Sequence, residues 1–350
     1  HPPLVFWIQS HFFSLFGDGP YFEAFYGFII CMIILGCMAW FWRRVRQDFQ
    51  LSAIGNWWLL MVPLPIFTYM MQINRITSTY TILAILPTYA AYCSVVGHQH
   101  TILFSLLSGV LIYLGFIAKG PVALFTFAVP TLGWLVLKSK PSKAAISTLV
   151  ALLVFAIIFG ATLYLFPDSV DFWRDFWKHQ VMASLKNERG ASATHWYLVE
   201  RWAAEMAVPI FVAGLFLALT RVSLHQIRFN RQALYFLLIG LASSLPFLFS
   251  TRQHNRYIFQ SYPFYILGLA FISDHIADRI EAILEEKRAV RIGVVVTAVI
   301  FFTTAFTSML YRKDHNQKRK PFYNDIYLQK IQLPERITIC LLYTSDAADD

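Results

Sequence analysis

The sequence predicts an all-α protein, a polytopic bundle of transmembrane helices, and three observations predict it. Hydrophobic residues make up 57% of the 350-residue chain and charged residues 14%, with a mean hydropathy of +0.53; soluble domains carry about a quarter charged residues. Several apolar runs approach or exceed about 18 residues, the length a helix needs to cross a bilayer. The alternating segments of about ten residues that mark a transmembrane β-barrel are missing.

Taken in order, the runs place about ten spans near 21–42, 52–71, 77–96, 101–118, 121–137, 146–166, 205–220, 232–250, 257–275 and 291–311. The opening HPPLVFWIQSHFFSLFGDG mixes aromatic and polar residues and is expected to lie along the membrane interface. Residues 101–137 read as two spans because one 37-residue helix would be about 56 Å long, against a hydrocarbon core of about 30 Å. Gly120 can end the first helix and Pro121 can occupy the first turn of the next. Lys119 then stands at a tight turn at one membrane face. No repeat of about 20–50 residues is visible.

The basic residues read as topology signals. Arg43, Arg44 and Arg46 follow the first span, Lys138, Lys140 and Lys143 the fifth, Arg221, Arg228 and Arg231 the seventh, and Arg279, Lys287, Arg288 and Arg291 the ninth. Threading the spans puts these residues and GHQH (97–100) on one side, which the positive-inside rule makes cytoplasmic. A formal charge of +9 therefore points to no nucleic-acid partner. The external side collects Asn74-Arg75, Lys119-Gly120, the long loop 167–204, TRQHNR (251–256) and the tail from Arg312. Its short loops carry few cations, yet each carries at least one.

In the long loop, PDSVDFWRDFWKHQVMASL reads as an aromatic-rich amphipathic helix, with Asp168 or Ser169 as N-cap. It would lie in the headgroup layer or pack on the protein's own external rim. Cys31, Cys37 and Cys93 read as buried thiols in apolar spans, and no CxxC or metal-ligand spacing occurs. HExxH, GxSxG, P-loop and GxGxxG motifs are lacking, so hydrolase, nucleotide-binding and redox readings have no support.

Lys119 has two readings. Its ammonium snorkels to interfacial water, or it faces a cavity as a point-charge partner for an anion such as phosphate. Arg252, His254 and Arg256 crowd one short external connection, where arginines grip a phosphate in bidentate fashion or simply form a solvated turn. Tyr257 and Tyr262 follow, as belt residues or as the lining of a polar-lipid groove. Arg75 and His195, with Trp196 and Tyr197 beside the latter, are weaker candidates for the same external cavity and read equally as surface or packing residues.

Three segments carry a family resemblance. HPPLVFWIQSHFFSLFGDGPYFEAF is similar to a "KPPL…W…LFG…" segment. GFIAKGPVALF, with Pro130 beyond it, resembles an "LTKGPxxLLLP" turn. TRQHNRYIFQSYPFYILGLAF resembles a "K-L-P-x-Y-x-L-P-x-x-P" segment. All three belong to the lipid-linked-sugar transferases of the GT-C fold, in the bacterial aminoarabinose transferase and protein O-mannosyltransferase group (family 39 type). The resemblance spans most of residues 1–275. It implies sugar transfer from a polyprenyl-phosphate donor to a lipid, glycan or protein acceptor, at the periplasmic face of a bacterial inner membrane. It casts Lys119, Arg252 and Arg256 as donor-phosphate ligands and Arg75, His195, Tyr197, His254, Tyr257 and Tyr262 as cavity residues. No cofactor is identified, and a divalent metal is left open.

The family's acidic pair belongs to a first external loop, which is expected upstream of His1 together with a first span. The external acids Asp168, Asp171, Asp175, Glu200 and Glu205 do not match that motif, and Tyr80 stands where an acid would occur in NRITSTYT. The expected organisation is an interfacial segment 1–20, a transferase core 21–311 and the start of a basic tail 312–339. CLLYTSDAADD (340–350) resembles a translated sequencing adapter and is set aside. Two rival functions share the spans and external cations: a transporter or flippase for a lipid or small anion, and a ligase adding preassembled glycan chains.

Overall fold

The computed structural model describes residues 2–17, 20–49, 60–62, 64–71, 76–97, 100–185, 196–220, 229–250 and 253–272. The expected span at 291–311, residues 52–59 and 63 of that at 52–71, the tail 312–339 and the stretch 340–350 lie outside the described residues. Within them every regular element is helical: α1 (Leu4–Phe16), α2 (Pro20–Phe49), α3 (Pro65–Met71), α4 (Ile76–Val96), α5 (Thr101–Lys119), a 3-10 segment (Gly120–Phe127), α6 (Ala128–Leu137), α7 (Pro141–Leu165), α8 (Asp168–Phe176), α9 (Tyr197–Thr220), α10 (Arg231–Leu248), a second 3-10 segment (Asn255–Ser261) and α11 (Tyr262–Ile272). Stretches Ala24–Asp48, Ile76–Val96, Thr101–Leu137, Pro141–Leu165 and Arg231–Leu248 are long and apolar enough to cross a membrane.

Burial orders these helices from the centre outward. In α4, 78% of the apolar stretch is buried, against 17% in α7. The central helix carries the polar residues: Thr77, Ser78, Thr79, Thr81, Thr88 and Ser94 are all buried. Thr81 and Thr88 donate to carbonyls one turn earlier, and Ser94 shares a hydrogen bond with Ser147 of α7. Such satisfaction is what allows hydroxyls inside a bundle surrounded by hydrocarbon. The peripheral α7 turns Leu149, Leu153 and Ile157 outward, as a lipid-facing helix must.

The reversal at Lys119 is real. Gly120 has φ +81° and ψ −152°, a conformation essentially restricted to glycine, and it breaks α5. A Cβ on Gly133 of α6 would sit 3.0 Å from Val95 Cγ1, at the end of the bundle from which α5 departs. Residues 101–137 therefore run out and back. One expectation is corrected: the returning half begins as a 3-10 segment, with α6 starting only at Ala128. Eight 3-10 residues at about 2.0 Å and ten α residues at about 1.5 Å still reach about 31 Å, enough for the hydrocarbon core.

Contacts at the opposite end match the expected charge grouping. Arg44 pairs with Asp48 at 3.2 Å, the Tyr92 hydroxyl donates to Asp48 at 3.0 Å, and Lys143 Nζ donates to the Gly97 carbonyl at 2.8 Å. The loops after α2, α4 and α6 thus share one end. α10 starts there with an Asn230 N-cap, whose side chain accepts from the Ala233 amide at 2.7 Å. The α8 N-terminus departs from expectation: Pro167 precedes it, with no side-chain cap from Asp168 or Ser169. The fixed φ of proline supplies the helical entry instead.

α5 and α7 pack along much of their length, with Tyr113 and Thr162 sharing a hydrogen bond at 2.6 Å, and approach closely at Gly109. A Cβ on Gly109 would lie 2.6 Å from the Ala151 carbonyl and 2.8 Å from Val154 Cβ. Gly109→Val is expected to lower unfolding stability by about 1–3 kcal/mol through overpacking, read by denaturant titration in detergent. A variant as stable as the parent would show that α7 shifts freely on α5.

Candidate active site

Lys119 is placed by the break it precedes. Its side chain enters a cage made by the start of α4, the end of α10 and the second 3-10 segment. Nζ donates to Gln260 Oε1 at 2.9 Å, with Thr77 Oγ1 and the Tyr257 carbonyl each 3.5 Å away. It stands 5.0 Å from the Tyr80 ring centroid and 4.9 Å from that of Phe247, distances at which an aromatic face attracts a cation. Gln260 is held in turn, its Nε2 3.4 Å from the Ser243 carbonyl. Ser243 donates to Ser261 at 2.6 Å.

The hydrogen-bonding partners of Lys119 are neutral, and among the described residues no carboxylate pairs with it. A second cation, Arg256, belongs to the same 3-10 segment as Tyr257 and Gln260, both partners of Lys119. The Arg256 guanidinium lies 5.9 Å from the Tyr257 ring, and His254 meets that ring edge-on at 5.2 Å. A half-buried ammonium with only neutral partners among the described residues leaves an anion-binding arrangement. The snorkelling reading does not describe Lys119: its ammonium points into a polar cage between helices.

Beside the cage opens a cavity of about 320 Å³. Pro65, Ile66 and Tyr69 of α3 form one wall, and His254, Asn255 and Arg256 another, with Glu205 of α9 also lining it. Glu205 is 7% exposed. The Ile66 amide donates to its Oε2 at 3.0 Å and Asn255 Nδ2 to its Oε1 at 3.1 Å.

The sequence candidates therefore separate. The structure brings Lys119, His254, Arg256 and Tyr257 together. Tyr262 is fully buried behind the wall, its hydroxyl 3.5 Å from Asn255 Oδ1, and so does not line the cavity as expected. Tyr197 sits at the start of α9, its ring 5.4 Å from Arg201, away from the cavity walls. Arg75, Arg252 and His195 lie outside the described residues. The described residues contain no group of three or more His, Cys, Asp or Glu able to hold a metal ion.

Sequence reasoning missed Gln260, Thr77 and Glu205 as site residues. A usable signal existed for two of them. Gln260 is an isolated amide in YIFQSYPFY and Glu205 an isolated acid in WAAEMAVPIF, the same pattern that marked Lys119. α8 packs on the turn itself. Trp173 stacks on Phe116 with centroids 4.6 Å apart, and a Cβ on Gly120 would lie 2.8 Å from the Phe176 ring. It follows the second of its two expected placements, against the protein's own rim.

Comparison with known proteins fits this geometry. The profile of the dolichyl-phosphate-mannose-protein mannosyltransferase family matches residues 1–164. Among solved structures, the chain is similar to ArnT from Cupriavidus metallidurans, crystallised bound to undecaprenyl phosphate. The TM-score is 0.56 at 16% identity, over 79% of this chain and 50% of that one. No curated protein sequence matches. The chain thus spans about half the length of the ArnT structure. Helix arrangement and apolar lengths define a multi-pass membrane protein. Its fold is of the GT-C type, so the fold implied by the motif resemblance holds.

Proposed function

We propose that this protein belongs to a membrane glycosyltransferase that moves a hexosyl or pentosyl unit from a polyprenyl-phosphate donor to a lipid, glycan or protein acceptor. The observation that carries the proposal is the Lys119 ammonium, held between helices by neutral partners alone among the described residues, in the same 3-10 neighbourhood as Arg256. The match to the mannosyltransferase profile over residues 1–164 and the likeness to an undecaprenyl-phosphate-bound structure support it.

In the reaction, the bond between the anomeric carbon and the phosphate oxygen breaks, and the electron pair leaves on the lipid phosphate. Lys119, fixed by Gln260, and Arg256 stabilise that growing negative charge. Such stabilisation is strongest in a water-poor cleft with preorganised groups. The acceptor hydroxyl attacks the anomeric carbon and gives up its proton to a base. The site faces the periplasm of a bacterial inner membrane, on the side away from the Arg44–Lys143 cluster. Arg252, whose position is not described, would join the phosphate grip, and Arg75 and His195 would face the same cavity.

The rival is a flippase. A direct test supplies the intact protein, in proteoliposomes with membrane extract as acceptor, with undecaprenyl phosphate carrying a radiolabelled sugar. Transfer releases bare undecaprenyl phosphate and moves the label to a new product. Label that stays on the polyprenyl lipid while the lipid changes leaflet would replace the proposal with transport.

A further inference from the structure

We infer that Glu205 is the residue that reads the transferred sugar, forming with Asn255 the polar floor of a sugar subsite beside the phosphate-binding cations. The inference rests on the donor-phosphate reading above and extends it to the other half of the donor.

Glu205 is a carboxylate at 7% exposure. Burying a carboxylate is costly unless its oxygens are occupied. Two neutral donors, the Ile66 amide and Asn255 Nδ2, reach it at 3.0 and 3.1 Å. An ionised carboxylate offers about four lone-pair sites, so about two remain. No cation forms an ion pair with it among the described residues. Glu205 also lines the cavity of about 320 Å³, a size within the small-molecule range of about 300–1,000 Å³. The remaining acceptor capacity therefore faces a space large enough for a ligand.

The chemistry of the walls selects the ligand class. Arg256 can only donate hydrogen bonds, and Glu205 as a carboxylate only accepts them. A sugar hydroxyl does both. A phosphate, which only accepts, would suit Arg256 and be repelled by Glu205. Arg256 lines this cavity and adjoins Tyr257, whose carbonyl is 3.5 Å from Lys119 Nζ. The two subsites are thus contiguous, as a phosphate and the sugar bonded to it require. Tyr69 of α3 also lines the cavity.

The test uses the intact protein and two binding measurements: bare undecaprenyl phosphate, and the same lipid carrying mannose, glucose or arabinose. The parent is expected to prefer one of the sugar-bearing lipids over the bare lipid by at least about tenfold, because a site built to hydrogen-bond a hydroxyl discriminates strongly. Glu205→Gln should erase that preference while leaving bare-lipid affinity within about twofold, and Glu205→Asp should weaken it less. Lys119→Met should instead weaken bare and sugar-bearing lipids together. Equal weakening of both lipids by Glu205→Gln would reduce Glu205 to a tie between α9, α3 and the 3-10 segment, and overturn the inference. So would a parent that prefers none of the sugars. Bare-lipid binding untouched by Lys119→Met would sink the phosphate reading itself, and the inference with it.

Discussion

Lys119→Met should lower kcat/KM for sugar transfer by about 10²–10³-fold, the loss typical of removing one preorganised charge-stabilising group. Methionine reaches as far as the lysine Cε and removes the ammonium, so the deficit reports on the charge. The same variant should be no less stable than the parent. Lys119 has only neutral hydrogen-bonding partners in the structure, and relief of a buried charge offsets what those bonds contribute. Transfer kinetics and a thermal melt in detergent, taken together, decide the matter. Turnover within about threefold of the parent removes Lys119 from the site. Loss of both activity and stability makes it a structural residue.

Gly120→Val carries the largest expected effect on stability. The backbone there has φ +81° and ψ −152°, which costs a side-chain-bearing residue about 1–3 kcal/mol. A Cβ would also fall 2.8 Å from the Phe176 ring, adding an overpacking penalty of about 1–3 kcal/mol. The two contributions separate in a double variant. Gly120→Ala combined with Phe176→Ala should recover the steric part and leave the backbone part. Denaturant titration measures both. A Gly120→Val protein as stable as the parent would mean that the reversal between α5 and the 3-10 segment is not fixed by this residue. Because the turn also sets the direction of Lys119, a partly folded Gly120→Ala protein is expected to lose transfer out of proportion to its lost stability.

Much of the fold was legible because the membrane imposes a local rule: a helix must be apolar over its own length to cross. The break at Lys119-Gly120-Pro121, the apolar runs and the grouping of the ends of α2 and α4 with the start of α7 follow from residues within a turn or two of each feature. The 3-10 start of the returning segment did not follow. It depends on how Ala123 and Gly115 pack against each other across the turn, where a Cβ on Gly115 would sit 3.1 Å from that of Ala123. Nor did the behaviour of α8, whose aromatic face suits a headgroup layer and a protein rim equally well. The contact of Trp173 with Phe116 decides for the rim.

The candidate site divides along the same line. Lone polar residues in apolar stretches were visible, and Lys119 was found that way. Its partners were not, because Thr77, Tyr257 and Gln260 stand 42, 138 and 141 residues away in the chain. Nothing in local composition ties one such position to another. By itself the sequence determined that this protein is a helical membrane bundle, where its chain reverses beside a lysine and which loops gather the positive charge. Those properties are set by the transfer of short segments between water and hydrocarbon. Only the tertiary structure decided that Lys119 and Arg256 converge, that Gln260 holds the former, and that Glu205 faces the neighbouring cavity. Those facts depend on which helix faces meet, and packing between distant segments fixes that.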